Sequence, residues 1–155
     1  WNEALDINLV VVGSEGWKDL PDSMRRDIPQ TVKHLRTHPE LNQRLIWLEG
    51  ISDDYLEKIY VASTCLIAAS YGEGFGLPLI EAAQHNLPII ARDIPIFREV
   101  AGEHAYYFNA STADGLGRTI NEWLALYKND RHPKSDDMPW FTWKESAQQL
   151  LHAIF

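Results

Sequence analysis

Cysteine is almost absent from this chain: Cys65 is the only one in 155 residues, which excludes a disulfide framework. It lies inside the apolar run Cys65-Leu66-Ile67-Ala68-Ala69. A reactive thiol needs an accessible, electropositive site, so this one reads as a small core residue of a reducing, cytoplasmic compartment. Six histidines (His34, His38, His85, His104, His132 and His152) show no zinc spacing, and one cysteine cannot complete a structural zinc site. Asp53-Asp54 and Asp136-Asp137 are adjacent acids without a third ligand and read as helix-start and loop charges, so no metal site is expected. No apolar run approaches the roughly 20 residues of a membrane span, and no secretory pattern opens the chain. Positive charge is scarce as well. With 14 basic against 22 acidic residues and a net charge of −8, the chain lacks the footprint of a nucleic-acid binder or of a protein held on anionic lipid. Its densest basic pair, Arg25-Arg26, is flanked by Asp22 and Asp27. No Walker-type lysine motif and no Ser-His-Asp arrangement is legible.

What is present is an ordinary globular mixture, 45% hydrophobic and 23% charged, in the length of one domain over 1–155. Short β-branched or apolar runs alternate with helical patterns. Strands are expected at 7–12, 45–48, 64–69, 88–91 and 104–108. Between them, 22–37 reads as helix broken by Pro29, and Ser52 caps a helix with Leu56, Ile59 and Tyr60 on one face. Further helices start near Pro78 and at Ile94. Leu116, Ile120, Trp123, Leu124 and Tyr127 mark an amphipathic one. Thr142-Trp143-Lys144-Glu145 has the capping-box form and opens a terminal helix over about 142–155, with Ala147, Leu150, Leu151 and Ile154 as its stripe. Five strands, apolar on both faces and separated by helices, predict an α/β fold with a doubly wound, mostly parallel sheet. In such sheets ligands sit beyond the carboxyl ends of the strands.

One turn at such an end concentrates the chemistry: Tyr71-Gly72-Glu73-Gly74-Phe75-Gly76-Leu77-Pro78-Leu79-Ile80-Glu81. Its glycines allow close backbone approach to a ligand, and the following helix presents unpaired N–H groups and a positive dipole end. Together these suit a diphosphate. Pro78 fits the first turn, where no N–H is required. Carboxylates beside phosphate suit sugar hydroxyls instead: Glu73 those of a hexose, and Glu81 a ribose diol. The plainer alternatives are that Glu81 only favours the helix dipole and Glu73 is a solvated loop charge. Of the tryptophans, Trp17 alone is placed to face a cleft.

The Glu73-Gly-Phe-Gly-Leu-Pro-Leu-Ile-Glu81 segment resembles the Glu, seven residues, Glu motif of the retaining glycosyltransferases of family four. Val10 to Gly13, Gly50 to Asp53, Leu56 to Ser63, Pro88 to Ala91 and Ile94 to Gly102 fall in the order of that family. Phe97 to Val100 and Tyr106-Tyr107-Phe108 are most similar to bacterial mannosyltransferases of polysaccharide assembly. The resemblance implies the Rossmann-like carboxy-terminal half of a two-domain GT-B enzyme, acting on a nucleotide sugar such as GDP-mannose without a metal or other cofactor. It implies that Glu73 meets the donor hexose as the catalytic-site carboxylate. The backbone of Gly74, Phe75, Gly76 and Leu77 would face hexose and diphosphate, Glu81 the ribose, and Gly50 with Ile51 the base. An ordinary strand end remains the alternative for Ile51.

Such domains open with a strand, a glycine, an arginine and a lysine that neutralise the diphosphate, whereas this chain opens at Trp1-Asn2-Glu3. The first strand therefore reads as missing, and the piece alone as inactive. The glycan or lipid-linked glycan acceptor would be held by an amino-terminal domain outside the chain, and peripheral attachment to the inner membrane would come from parts not present here. The competing class is a non-catalytic nucleotide-sugar-binding or interaction module on the same scaffold.

Overall fold

Alternating apolar runs and helical patterns resolve, in the computed structural model, into five strands and six helices over residues 5–15, 21 and 27–154, the residues described. Trp17 and the first part of the expected helix at 22–37 lie outside them. The chain forms two compact units, residues 1–56 and 57–155.

In the first unit, β1 (Leu9–Val12) pairs in parallel with β2 (Leu45–Leu48), Leu9 opposite Leu45 and Val12 opposite Leu48. The connection carries α1 (Ile28–Arg36). Pro29 does not interrupt this helix but sits in its first turn, where the missing N–H costs no intrahelical bond. Beyond β1 the Trp47 indole donates to the Gly13 carbonyl at 2.8 Å and closes the turn. Leu45 is buried, whereas Val10, Val12 and Ile46, which share one face, are more than a third exposed. Burial on both strand faces, expected from composition, does not hold for this pair.

It does hold in the second unit. β3 (Leu66–Ala68), β4 (Ile89–Arg92) and β5 (Ala105–Phe108) form one parallel sheet in that order. Each unit thus carries a parallel sheet, as the alternation of strands and helices predicted. Side chains alternate across β4: Ile89 and Ala91 enter one cluster, Ile90 the other. The first cluster is completed by Leu79, Ala82 and Ala83 of α3 (Leu77–Gln84) and by Phe97 and Ala101 of α4 (Pro95–Ala101). The second is built on Trp123 of α5 (Ala113–Lys128) and Phe108. Cys65 packs on that second cluster, and burial pushes its thiol up to about 12, so it is an inert core residue.

α2 (Asp53–Ala62) starts where the Ser52 hydroxyl accepts the Tyr55 N–H at 3.3 Å. α6 (Trp143–Ile154) starts on the reciprocal cap read from sequence: Thr142 Oγ1 accepts the Glu145 N–H at 3.2 Å, and Glu145 Oε2 accepts the Thr142 N–H at 2.8 Å. Its stripe is not buried, however. Leu150, Leu151 and Ile154 are each more than half exposed. No described helix is long and apolar enough to cross a membrane.

Candidate functional site: the glycine-rich loop of the second unit

The chain leaves β3 at Ala68 and enters α3 at Leu77, so the turn picked out by its glycines lies at the carboxyl end of the sheet. Gly76 is its pivot. It has φ of 80°, the left-handed region, and a Cβ there would stand 3.3 Å from the Phe97 ring. Backbone conformation and space both demand glycine. Gly76 is the N-cap of α3 and no side chain caps that helix; Pro78 has no N–H and the Leu79 N–H donates to the Gly76 carbonyl at 3.0 Å, so the helix start presents its positive dipole end and the Leu77 N–H. Gly74 and Gly72 have open space around them. Phe75 and Leu77 are exposed, at 56% and 43%.

The two carboxylates are held differently. Glu73 is exposed in the loop and accepts the Ser70 hydroxyl at 3.0 Å. Glu81, half-buried on α3, accepts the Tyr60 hydroxyl of α2 at 2.7 Å. Tyr60 is itself stacked on His85, ring centroids 5.3 Å apart and planes within 10°. Burial and the Glu81 carboxylate together push the Tyr60 phenol upward, so it stays a donor. The bond to Tyr60 takes one of the two carboxylate oxygens of Glu81.

Gly50 and Ile51 belong to the first unit, directly after β2. Gly50 has φ of 63° and Ile51 is half-buried. Among the described residues, no group of three or more His, Cys, Asp or Glu could hold a metal ion.

Sequence reasoning missed Arg92, the last residue of β4. Its Nε donates to the Ala69 carbonyl at 3.0 Å and its Nη1 to the Ala110 carbonyl at 2.8 Å, while the guanidinium lies 3.9 Å from the centre of the Tyr71 ring. An arginine ending an apolar strand looks like a solvent-facing terminus, and only its position at a strand's carboxyl end hinted otherwise. Beside it, Arg98 grips Asp93 with two bonds of 2.7 and 2.8 Å and lies 3.7 Å over the Tyr107 ring. That guanidinium holds the Asp93 carboxyl below its ordinary range.

The sequence pattern that defines the glycosyl transferases group 1 family matches residues 2–136 of this chain. The chain belongs to that family. Among curated relatives of this group 1 domain, the serotype-specific mannosyltransferase WbdA of Escherichia coli is 48% identical over 151 residues, 97% of this chain but 17% of WbdA. The domain thus spans about a sixth of the length of that relative. Two solved structures share the fold. Sucrose-phosphate synthase from Thermosynechococcus elongatus superposes with a TM-score of 0.66 at 24% identity, over 95% of this chain and 37% of its own. The carboxy-terminal domain of the group 1 protein LpcC from Francisella tularensis gives 0.59 at 22% identity, over 84% and 65%. These likenesses establish the group 1 domain as the Rossmann-like half of a GT-B fold, as the resemblance carried by the glutamate motif implied.

Proposed function

We propose that the protein carrying this domain transfers mannose from GDP-mannose to a glycan acceptor with retention of configuration, and that this chain supplies the donor site. The observation that carries the reading is the uncapped start of α3 behind Gly76, flanked by Glu73 and by Glu81 aimed through Tyr60. The positive dipole end of a helix with no side-chain cap suits a diphosphate, and the two carboxylates suit hexose and ribose hydroxyls. The 48% identity to a mannosyltransferase supports the choice of sugar.

In this reaction the bond between the anomeric carbon and the diphosphate oxygen breaks, and the acceptor oxygen bonds to the same face. The acceptor proton passes to the departing phosphate oxygen. The protein orients donor and acceptor and stabilises charge on the leaving group. Glu73 binds the hexose and is not the nucleophile. Gly50 and Ile51 support the base, no resident metal or cofactor takes part, and the glycan or lipid-linked glycan acceptor is held outside this chain, at the cytoplasmic face of the inner membrane.

The test uses the full-length protein with GDP-mannose, UDP-glucose and a mannan oligosaccharide, with and without a chelator. The expected result is an α-linked mannose by proton NMR, from GDP-mannose only and insensitive to chelation. Donor binding without transfer would favour a non-catalytic nucleotide-sugar-binding module, and transfer from UDP-glucose would reverse the donor.

A further inference from the structure

Contacts from three loops converge on one guanidinium at the carboxyl ends of β3, β4 and β5. Arg92 ends β4; its Nε reaches the Ala69 carbonyl just after β3, and its Nη1 the Ala110 carbonyl just after β5. The same group lies 3.9 Å from the centre of the Tyr71 ring and 5.0 Å from that of Phe108. Ala69 and Tyr71 bracket Ser70, whose hydroxyl donates to Glu73. Arg92 thus grips the entry of the glycine-rich loop on both sides of the residue that holds its carboxylate. The exit of that loop is set separately, by Gly76 against Phe97.

We propose that Arg92 is a positioning residue for the transfer step, holding residues 69–76 so that Glu73 meets the donor hexose, without itself touching the donor. The inference rests on the donor-site reading above. Two carbonyls on different loops are met by two different edges of a planar fork, while the rings of Tyr71 and Phe108 lie against it. A lysine ammonium is a point charge on a flexible stem and cannot reproduce that set. Glu81 is placed by another route, through Tyr60 on α2, so loss of Arg92 leaves the nucleotide end of the site intact. A shift of about an ångström at a reacting centre costs up to roughly a hundredfold in rate, which makes turnover the sensitive readout.

The experiment compares full-length Arg92→Lys and Arg92→Met with the parent. It measures turnover of GDP-mannose, calorimetric affinity for GDP, melting temperature, and chymotryptic cleavage after Tyr71 and Phe75 without ligand. Both variants are expected to lose at least about tenfold in kcat, with KM for the donor and Kd for GDP within about threefold and melting unchanged. Cleavage at the two aromatic residues is expected to speed up several-fold. Retained turnover in Arg92→Lys, with GDP affinity lost in Arg92→Met, would mean that Arg92 is a direct cation for the diphosphate and overturn the proposal. A fall of melting temperature, affinity and turnover together would reduce Arg92 to a structural residue. If the parent neither binds GDP nor uses GDP-mannose, the donor reading fails by itself, and unchanged cleavage would independently show that Arg92 does not hold the loop.

Discussion

Tyr60 donates its hydroxyl to Glu81 at 2.7 Å across 21 residues of sequence, with its ring stacked on His85. The bond uses one carboxylate oxygen and leaves the other to the site. Tyr60→Phe keeps the ring and the stack and removes only the donor. In the full-length protein, GDP affinity is expected to fall by up to about 1.5 kcal/mol, roughly tenfold, with little change in melting temperature. Isothermal calorimetry measures it; unchanged affinity would mean that Glu81 needs no help in aiming.

The two glutamates are separable. Glu81→Gln is expected to weaken binding of GDP and GDP-mannose alike, by about 1.5–3 kcal/mol, because the ribose is common to both. Glu73→Gln is expected to leave GDP binding nearly unchanged and to lower kcat, because its partner is the sugar being transferred. Dissociation constants and steady-state rates for both variants check the assignment. Loss of GDP affinity in Glu73→Gln alone would reverse the two roles.

Gly76→Ala forces a Cβ into the left-handed region and to 3.3 Å from the Phe97 ring. Stability is expected to drop by about 1–2 kcal/mol in urea unfolding. Gly74→Ala, with open space around it, is the control and is expected to cost well under that. Equal losses in the two variants would show that φ at Gly76 is not the constraint.

His132 is buried against Trp123 and Tyr127, ring centroids 5.8 and 4.9 Å away, with Nδ1 unpartnered. Burial, helped by Lys134 and opposed by Asp130 and Asp136, holds its imidazole below the ordinary 6.5. The unfolded chain then binds the proton first, so stability present above about pH 6.5 is lost as pH falls through the lowered folded value. His132→Phe, which keeps an aromatic ring, is expected to flatten the fall in melting temperature between about pH 7.5 and 5. Parallel pH profiles for parent and variant would refute this.

Much of the architecture was legible because its signals are local. The Thr142–Glu145 cap, the helix start at Ser52 and the glycine at Gly76 each depend on atoms within a few residues, and strand periodicity needs no knowledge of partners. The glycine-rich loop bearing Glu73 and the helix start that leads to Glu81 were visible for the same reason. Pro29 is likewise a local signal, since a proline in a helical pattern marks where a helix can begin, and α1 begins at Ile28. Tertiary structure alone decided which strands share a sheet, which apolar faces stay open at Val10, Val12 and Leu150, and that Tyr60 meets Glu81. It also decided that Arg92 joins Ala69 to Ala110. Those partnerships are made between segments distant in sequence, and their geometry follows from parallel register and packing, which no short window of residues contains.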